Sequence, residues 1–277
     1  MARPEAARRL IVNADDFGRS ASINQAVILA HRQGILTTAS LMVNEPAVAE
    51  AVALAHAHPR LGVGLHLSLL CGRAALPAAE IPGLVNAAGE FGDQPAAVGF
   101  KYFWRRDLRD QLRAEIRAQF ARFRATGLPL DHVNGHLHMH LHPVVLGLLL
   151  AEAKSFGVTH VRLTRDPFRL NFQLARGRWL YRGSHALIYT CLSAWARPQF
   201  RRRGLRHTPR VFGLLQNALV DEAYVAALLP RLPPGDSELY SHPSLDEFKN
   251  EFVALISPRI VALARDQGIQ LIRYQDL

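Results

Sequence analysis

The chain has 277 residues, of which 49% are apolar and 20% are charged, a balance typical of a globular protein rather than a disordered one. No apolar run reaches the roughly 20 residues that a membrane-crossing helix needs, and the N-terminal sequence lacks the apolar core of a secretory leader, so we expect a cytoplasmic protein. The net charge of +10 is typical of proteins that meet anionic surfaces, either nucleic acid or lipid.

Short runs rich in β-branched residues alternate with longer stretches of helical character. This alternation predicts an α/β fold with a parallel sheet. About eight strands in this length favour a single-domain (β/α)-barrel-like fold, irregular or incomplete in places, and a doubly wound open sheet is the alternative. The predicted strands cover residues 10–14, 40–44, 62–67, 132–136, 160–164, 211–215, 238–242 and 269–274. The predicted helices cover residues 22–33, 47–58, 107–126, 143–156, 221–229 and 245–266.

Two stretches interrupt the alternation. Residues 74–104 are rich in proline and glycine and are predicted to form a long inserted loop. Residues 167–209 form a second insertion, after the fifth predicted strand. The sequence has no internal repeat and no interdomain linker, so one domain is predicted over residues 1–277.

The two cysteines, Cys71 and Cys191, lie far apart in the sequence. They form neither a disulfide framework nor a cysteine-based metal site. We expect both to be buried free thiols, because cysteine packs as a small apolar residue.

Polar residues stand at the ends of several predicted strands. Asp15 and Asp16 follow the first strand directly. In parallel β/α folds the carboxyl ends of the strands face the active site, so these side chains are predicted to meet at one rim. The other members of the set, in chain order, are Asn44, His66 and His136 at the ends of the second, third and fourth strands, Arg162 within the fifth, and His242 at the end of the seventh.

One aspartate and two histidines from three strand ends form a common facial arrangement for a divalent ion. Each residue alone is more often a cap or a satisfied polar group, and the convergence of Asp16, His66 and His136 is what favours the metal. Such an ion lowers the pKa of its water toward neutrality, and the resulting hydroxide can attack a carbonyl.

The neighbouring carboxylates are predicted to have different roles, because adjacent residues at a strand end point in different directions. Asp16 would bind the metal, and Asp15 would act as general base. His242, from the far side of the rim, can protonate a leaving amine or stabilise an oxyanion. Arg162 can orient Asp15 or hold substrate, and a structural ion pair is an equally open alternative. Asn44 is placed among the substrate-binding or supporting residues.

Four histidines alternate in "GHLHMHLHP", namely His136, His138, His140 and His142. On a strand they would share one face. We expect the strand to end near His136, so that only this histidine reaches the metal, while His138 lines the pocket or orients a ligand. His140 and His142 are predicted to lie in the turn before Pro143, where they cap the next helix or contact solvent.

Five motifs, "LIVNADDFG", "LTTASLMVN", "VGLHLSL", "LDHVNGHLHMHLHP" and "YSHPS", occur in this order and at family-like spacings. With them the chain resembles the YdjC-like carbohydrate deacetylases over essentially its whole length. The form "HVNGHLHMHLHP", with "AEIRAQFARFRATGLPLDH" before it, resembles the branch of that family associated with hopanoid biosynthesis. Relatives vary at the positions of His140 and His142, so the resemblance gives these two no role.

The resemblance implies a barrel-like β/α fold and hydrolysis of the N-acetyl group of an acetylated amino sugar. It implies one divalent ion, magnesium or zinc, held by Asp16, His66 and His136. It also implies that Asp15 is the catalytic carboxylate. For the hopanoid-associated branch the implied substrate is an N-acetylglucosaminyl hopanoid, in which the sugar is carried on a triterpenoid lipid.

A lipid substrate gives a function to residues 182–204, "RGSHALIYTCLSAWARPQFRRRG". The segment joins an apolar, aromatic stretch to a cluster of arginines. This composition suits an element that lies on anionic lipid, at the inner face of the membrane. An amphipathic surface helix or a homodimer contact is an equally open interpretation.

Two other functions compete with the deacetylase. A metal-dependent phosphoesterase, or another sugar hydrolase on the same scaffold, could use the same residues, but a phosphoesterase usually needs a second ion, for which His138 is the convenient ligand. A basic nucleic-acid-binding module fits the net charge but leaves the convergence at the strand ends unexplained, and its arginines lack interleaved aromatics. We therefore expect no nucleic-acid partner.

Overall fold

A computed structural model describes residues 7–277, which form seven β-strands and ten α-helices. The strands are β1 (Arg8–Phe17), β2 (Thr38–Leu41), β3 (Gly62–Leu67), β4 (Val133–Gly135), β5 (Val211–Phe212), β6 (Gly235–Ser241) and β7 (Gln270–Ile272). The helices are α1 (Ala21–Gln33), α2 (Val48–Ala57), α3 (Pro95–Trp104), α4 (Arg109–Ala125), α5 (Pro143–Glu152), α6 (Phe168–Leu174), α7 (Trp179–Arg202), α8 (Glu222–Leu228), α9 (Lys249–Ile256) and α10 (Pro258–Asp266). The expectation about a secretory leader depends in part on residues 1–6, which lie outside the described residues.

The strands form one parallel, curled sheet in the order β4-β3-β2-β1-β6-β5. β1 pairs with β6 along one edge and with both β7 and β2 along the other, so it lies at the centre of the sheet. An extended segment, residues 160–165, forms hydrogen bonds with both outer strands, β4 and β5. The N–H of Arg162 donates to the Val133 carbonyl at 3.0 Å, and the N–H of Val211 donates to the Arg165 carbonyl at 2.9 Å. The predicted incomplete (β/α)-barrel is confirmed, and the doubly wound alternative is not.

Several predicted strands are shorter than expected, for local reasons. The stretch 160–164 makes only isolated pairings, and the carbonyl of Arg162 accepts from the His140 side chain rather than from a neighbouring strand. β5 stops at Phe212 because Gly213 takes a φ of +112°, which a continuing strand excludes. β2 runs over Thr38–Leu41 and so ends earlier than the predicted strand over 40–44.

The predicted insertions contain helices. α3 lies in the first and α6 and α7 lie in the second, so neither insertion is simply a loop. The helix predicted over 245–266 is two helices, α9 and α10. Pro258 has no N–H for a continuous helix, and the Ser257 hydroxyl accepts from the Ile260 N–H at 3.4 Å as the cap of α10.

The inner strands of the sheet, such as β3 and most of β1, are buried on both faces, as parallel sheets covered by helices are. All six residues of β3 are buried, and a side chain at Gly64 would lie 2.5 Å from the His132 ring, so glycine is required there. The expectation of buried cysteines is wrong. Cys71 is half-buried in the loop after β3, and Cys191 is exposed on α7 because it lies on the outer side of that helix. Among residues 7–277, no helix is both long enough and apolar enough to cross a bilayer.

Candidate metal centre

Three side chains from three strands converge at the carboxyl end of the sheet. Asp16 Oδ1 lies 3.2 Å from His66 Nε2 and 3.0 Å from His136 Nδ1, and the two imidazole nitrogens are 3.3 Å apart. Ligands bound at about 2.1 Å, with angles of about 90–110° between them, are about 3.0–3.4 Å from one another. The three atoms therefore fit around one divalent ion, and all three residues are buried.

A fixed tautomer prepares His66 for this role. Asn134 uses its Nδ2 to donate to Asp15 at 3.0 Å and to Ser40 at 2.8 Å, so its Oδ1 is an acceptor. His66 Nδ1–H donates to that oxygen at 2.7 Å. The lone pair of His66 Nε2 is consequently directed at Asp16 and His136, as a metal-binding imidazole requires.

A turn at the end of β1 separates the two neighbouring aspartates. Asp16 has a φ of +65°, a left-handed conformation that aspartate tolerates better than most residues. Its carbonyl accepts from the Arg19 N–H, and its Oδ2 accepts from the Arg19 side chain, both at 3.1 Å. Asp16 therefore faces the two histidines, while Asp15 faces the interior of the barrel.

Asp15 is held by four hydrogen bonds. Arg162 donates to Oδ2 at 2.7 Å and to Oδ1 at 3.0 Å, and Asn13 and Asn134 donate to Oδ1 at 2.8 Å and 3.0 Å. Burial alone would raise the pKa of Asp15, but the positive charge of Arg162 outweighs it and holds the pKa well below the usual range. Asp15 is thus an ionised, rigidly placed carboxylate beside the candidate metal ligands.

Arg162 is fully buried and bridges two carboxylates. Its Nε donates to Glu238 Oε1 at 2.8 Å, and its guanidinium lies 4.6 Å from the centre of the Tyr240 ring. Glu238 also accepts from the Tyr274 hydroxyl. In this structure the guanidinium orients Asp15 and is enclosed by protein, so it is not open to solvent.

His242 follows β6 on the far side of the candidate metal ligands. Its backbone N–H donates to Glu251 Oε2 at 2.5 Å, and its Nδ1 lies 3.8 Å from the same oxygen. Burial alone would lower the pKa of His242, but Glu251, together with the more distant Asp16 and Asp15, raises it to about 9. His242 is therefore an imidazolium at neutral pH.

Two cavities meet at this cluster and share His136, Leu137, Asn217 and His242 in their walls. The larger holds about 600 Å³ and has both polar and apolar residues in its walls, and the smaller holds about 130 Å³. The polar wall includes Arg19, Ser20, Ser244, Asp246 and Glu247. The smaller cavity has aromatic walls, formed by His138, Tyr181, His185, Tyr189 and Tyr240. We call the larger cavity the polar arm of the cleft, after the charged and hydroxyl residues in its wall, and the smaller one the aromatic arm. The candidate metal ligands lie between the two arms.

The alternating histidines do not share a face, because the backbone turns between them. Leu137 and His138 have φ values of +47° and +57°, which end the extended chain after His136. His138 lies in the aromatic arm, with Nε2 3.0 Å from the Tyr240 hydroxyl and Nδ1 3.3 Å from the Thr164 hydroxyl. Burial holds the pKa of His138 well below its usual value, so it is neutral.

The expectation that His140 caps a helix or contacts solvent is wrong. The same turn directs it inward, where it is fully buried and its Nε2–H donates to the Arg162 carbonyl at 3.0 Å. Burial lowers the pKa of His140 to about 3. His142 stands at the first position before α5 without a side-chain capping bond, and its ring packs against Tyr102 and Phe103.

The sequence profile of the family described as "YdjC-like protein" matches residues 9–266. The chain belongs to this family. It is 32% identical over 280 residues to a chitooligosaccharide deacetylase of Serratia marcescens, a match that covers 97% of this chain and 98% of that protein. It is 40% identical over 151 residues to a carbohydrate deacetylase of Brevibacillus brevis, of which the match spans 57%.

A solved structure has the same fold as this YdjC-like protein. It comes from Enterococcus faecalis V583 and is named provisionally as a cellobiose-phosphate cleavage protein. The TM-score is 0.75 at 23% identity, and the match covers 98% of this chain and 99% of that one. At this identity the likeness establishes the shared architecture and nothing about the reaction.

One predicted site residue of this YdjC-like protein lies away from the cluster. Asn44 follows β2 by three residues, and its Nδ2 donates to the Arg73 carbonyl at 3.1 Å. It lines neither arm of the cleft. The early end of β2 explains this position, because the rim lies at Leu41 and the chain has already turned away by residue 44.

Sequence reasoning missed several polar residues that support the site. Asn13 and Asn134 interrupt otherwise apolar strands, in "LIVNA" and "HVNGH", and that interruption was an available signal. Glu238 and Tyr240 occupy the interior-facing positions of β6, two residues apart, and become recognisable only once Arg162 is placed between them and Asp15.

Proposed function

We propose that this YdjC-like protein is a metal-dependent carbohydrate deacetylase that hydrolyses the N-acetyl group of an acetylated amino sugar. The observation that carries the proposal is the placement of an ionised Asp15 and a protonated His242 beside the convergent Asp16, His66 and His136. The deacetylase names of the two relatives support the same reaction class.

A divalent ion held by Asp16, His66 and His136 would activate water and polarise the amide carbonyl. Two imidazole nitrogens and one carboxylate oxygen are donors typical of zinc, and the cation can also be magnesium. We propose one such ion per chain. His138 has both ring nitrogens close to hydroxyl groups, which disfavours a second ion and with it the phosphoesterase alternative.

The protein's own groups handle two protons in the hydrolysis. Asp15 Oδ2 accepts one hydrogen bond, from Arg162, and therefore keeps a lone pair that can take a proton from the attacking water. As the C–N bond breaks, the protonated imidazole of His242 gives its proton to the amine nitrogen. Acetate and a free amino sugar are the products, and both residues must exchange protons with solvent before the next turnover.

The two arms of the cleft suggest how the substrate lies. Sugar hydroxyl groups match the polar arm that contains Arg19, Ser244 and Asp246, while the aromatic arm suits an apolar group. The substrate we propose is an N-acetylglucosaminyl hopanoid, supported by the resemblance of "HVNGHLHMHLHP" to the hopanoid-associated branch. With this substrate the enzyme would work from the cytoplasmic side of a membrane and contact it through residues 182–204.

The decisive experiment measures acetate release from soluble diacetylchitobiose and from an N-acetylglucosaminyl lipid. The protein is first treated with a chelator, and zinc or magnesium is then added back. We expect acetate only after metal is restored, and more from the lipid than from the soluble sugar. Release from chitobiose alone would remove the lipid substrate and keep the deacetylase, whereas no acetate from either substrate would overturn the proposed activity.

A further inference from the structure

The outer face of α7 is apolar and open to solvent for four turns. Leu180 is 91% exposed, Leu187 67% and Ile188 50%, and these residues lie at the spacing of one helical face. Between positions 179 and 195 no exposed residue of this helix is charged. The exposed set is Trp179, Leu180, Ser184, Leu187, Ile188, Thr190, Cys191, Ala194 and Trp195.

Polar contacts on the inner side of α7 fix its orientation. Arg182 is fully buried and donates to the carbonyls of Asn171 and Ala175 at 2.6 Å and 2.9 Å. The Tyr189 hydroxyl donates to the Leu137 carbonyl at 3.1 Å, beside the metal ligand His136. The helix cannot rotate its leucines inward without breaking these bonds, so the apolar face is a built feature of the surface.

The helix α3 also carries large exposed apolar side chains. On α3, Phe100 is 68% exposed and Trp104 is 72% exposed. Pro95 of α3 and Tyr181 of α7 line the same small cavity, so the two helices border one opening. Both helices that border the small cavity therefore carry large exposed apolar side chains.

The charge of the molecule is concentrated around this surface. Residues 167–220 contain ten arginines and no lysine, aspartate or glutamate. The charge of this segment, +10, is therefore the same as the net charge of the whole chain. The other 23 basic residues balance the 23 acidic ones. Arg176 and Arg178 are exposed before α7, and Arg197 and residues 201–203 are exposed near its end, so cationic groups stand at both ends of the apolar face.

We propose that the outer faces of α7 and α3 form a docking surface for an anionic lipid bilayer. The aliphatic and aromatic side chains enter the interfacial region, and the arginines contact lipid phosphates. A second copy of the chain is a poorer occupant, because pairing through α7 would bring two segments of charge +10 together. A bilayer in this position would face the aromatic arm of the cleft.

The test is cosedimentation of the full chain with vesicles of phosphatidylcholine alone and of phosphatidylcholine mixed with phosphatidylglycerol. We expect strong binding to the anionic vesicles and weaker binding to the neutral ones. The double variant Leu180→Gln, Leu187→Gln should reduce partitioning by about tenfold or more. The reason is that two apolar side chains that would be buried in the bilayer interface are replaced by polar ones. Neutralising residues 201–203 to glutamine should weaken binding to the anionic vesicles roughly a hundredfold.

The matched control replaces two exposed valines on other helices, Val253→Gln with Val261→Gln, which should leave partitioning unchanged. Equal pelleting of the wild type and the leucine variant would overturn the proposal, and so would a wild-type dimer that the leucine variant dissociates in analytical ultracentrifugation. The inference rests on the proposed function, which treats the cleft as the active site and has residues 182–204 contact a membrane, and it names the side chains and the lipid charge that make this contact. Acetate release from soluble chitobiose, measured on the same variants, should stay at the wild-type rate, so a failure of lipid binding is distinguishable from a failure of the deacetylase.

Discussion

Arg162 holds Asp15 through two parallel hydrogen bonds, of 2.7 Å and 3.0 Å, between fully enclosed side chains. The pair does two things for the proposed reaction. It fixes the direction of the carboxylate toward the metal ligands, and it keeps the carboxylate ionised in a place where burial favours the neutral acid. Glu238 supports the guanidinium from the other side, so three charges share one buried network.

Replacing Arg162 by lysine should separate these two effects. Lysine keeps the charge but loses the planar, bidentate contact, so kcat should fall about a hundredfold while KM changes little. The pKa of Asp15 should rise because its cationic partner is more distant, and the acidic limb of the pH–kcat profile should move to higher pH. Steady-state kinetics across the acidic range provide the measurement, with thermal unfolding as the check on folding. An unchanged acidic limb together with a normal kcat would remove Asp15 as the base.

The candidate metal ligands could be predicted because the carboxyl ends of parallel strands meet at one rim of the sheet. Strand ends in a parallel sheet are recognisable from β-branched runs, so Asp16, His66 and His136 could be placed at one rim from sequence alone. The positions of His138, His140 and His142 could not be predicted in this way. Leu137 and His138 adopt left-handed backbone conformations, which are rarely expected for leucine and histidine. Asn44 was misplaced for a related reason: a shift of three residues in a strand end moves a side chain off the rim.

The Glu251 carboxylate is expected to set the alkaline limit of activity. It raises the pKa of His242 to about 9, so the imidazolium required as general acid persists below that pH and is lost above it. In Glu251→Gln the pKa should fall toward 6.5, and the alkaline limb of kcat/KM should move down by about two pH units. The same substitution should also lower the free energy of unfolding. The contribution of the raised pKa to stability is complete below about pH 6.5 and is lost as the pH rises to about 9. Glu222→Gln on α8 is the control, and an alkaline limb that does not move would show that another group is the acid.

Metal content should distinguish the histidines of the string. His136→Ala removes a proposed ligand, so bound zinc or magnesium should fall from about one ion per chain to near zero after dialysis, measured by elemental analysis. His140→Ala should keep the ion, because its side chain is directed at the Arg162 carbonyl. Loss of this buried ring should instead lower the free energy of unfolding by about 2–3 kcal/mol. Equal metal loss in both variants would contradict the ligand assignment.

Asn134 connects a proposed metal ligand to the proposed base, and its removal should affect both. It accepts from His66 Nδ1 at 2.7 Å and donates to Asp15 Oδ1 at 3.0 Å, so one amide fixes the tautomer of a ligand and the position of the carboxylate. Asn134→Ala should weaken metal affinity about 10- to 100-fold, because His66 is then free to rotate or to change tautomer. At saturating metal a defect in kcat should persist, because Asp15 has lost a donor that metal cannot replace. Titration with a competing chelator, followed by kinetics at excess metal, separates the two effects. Full recovery of kcat at excess metal would limit Asn134 to supporting the ligand.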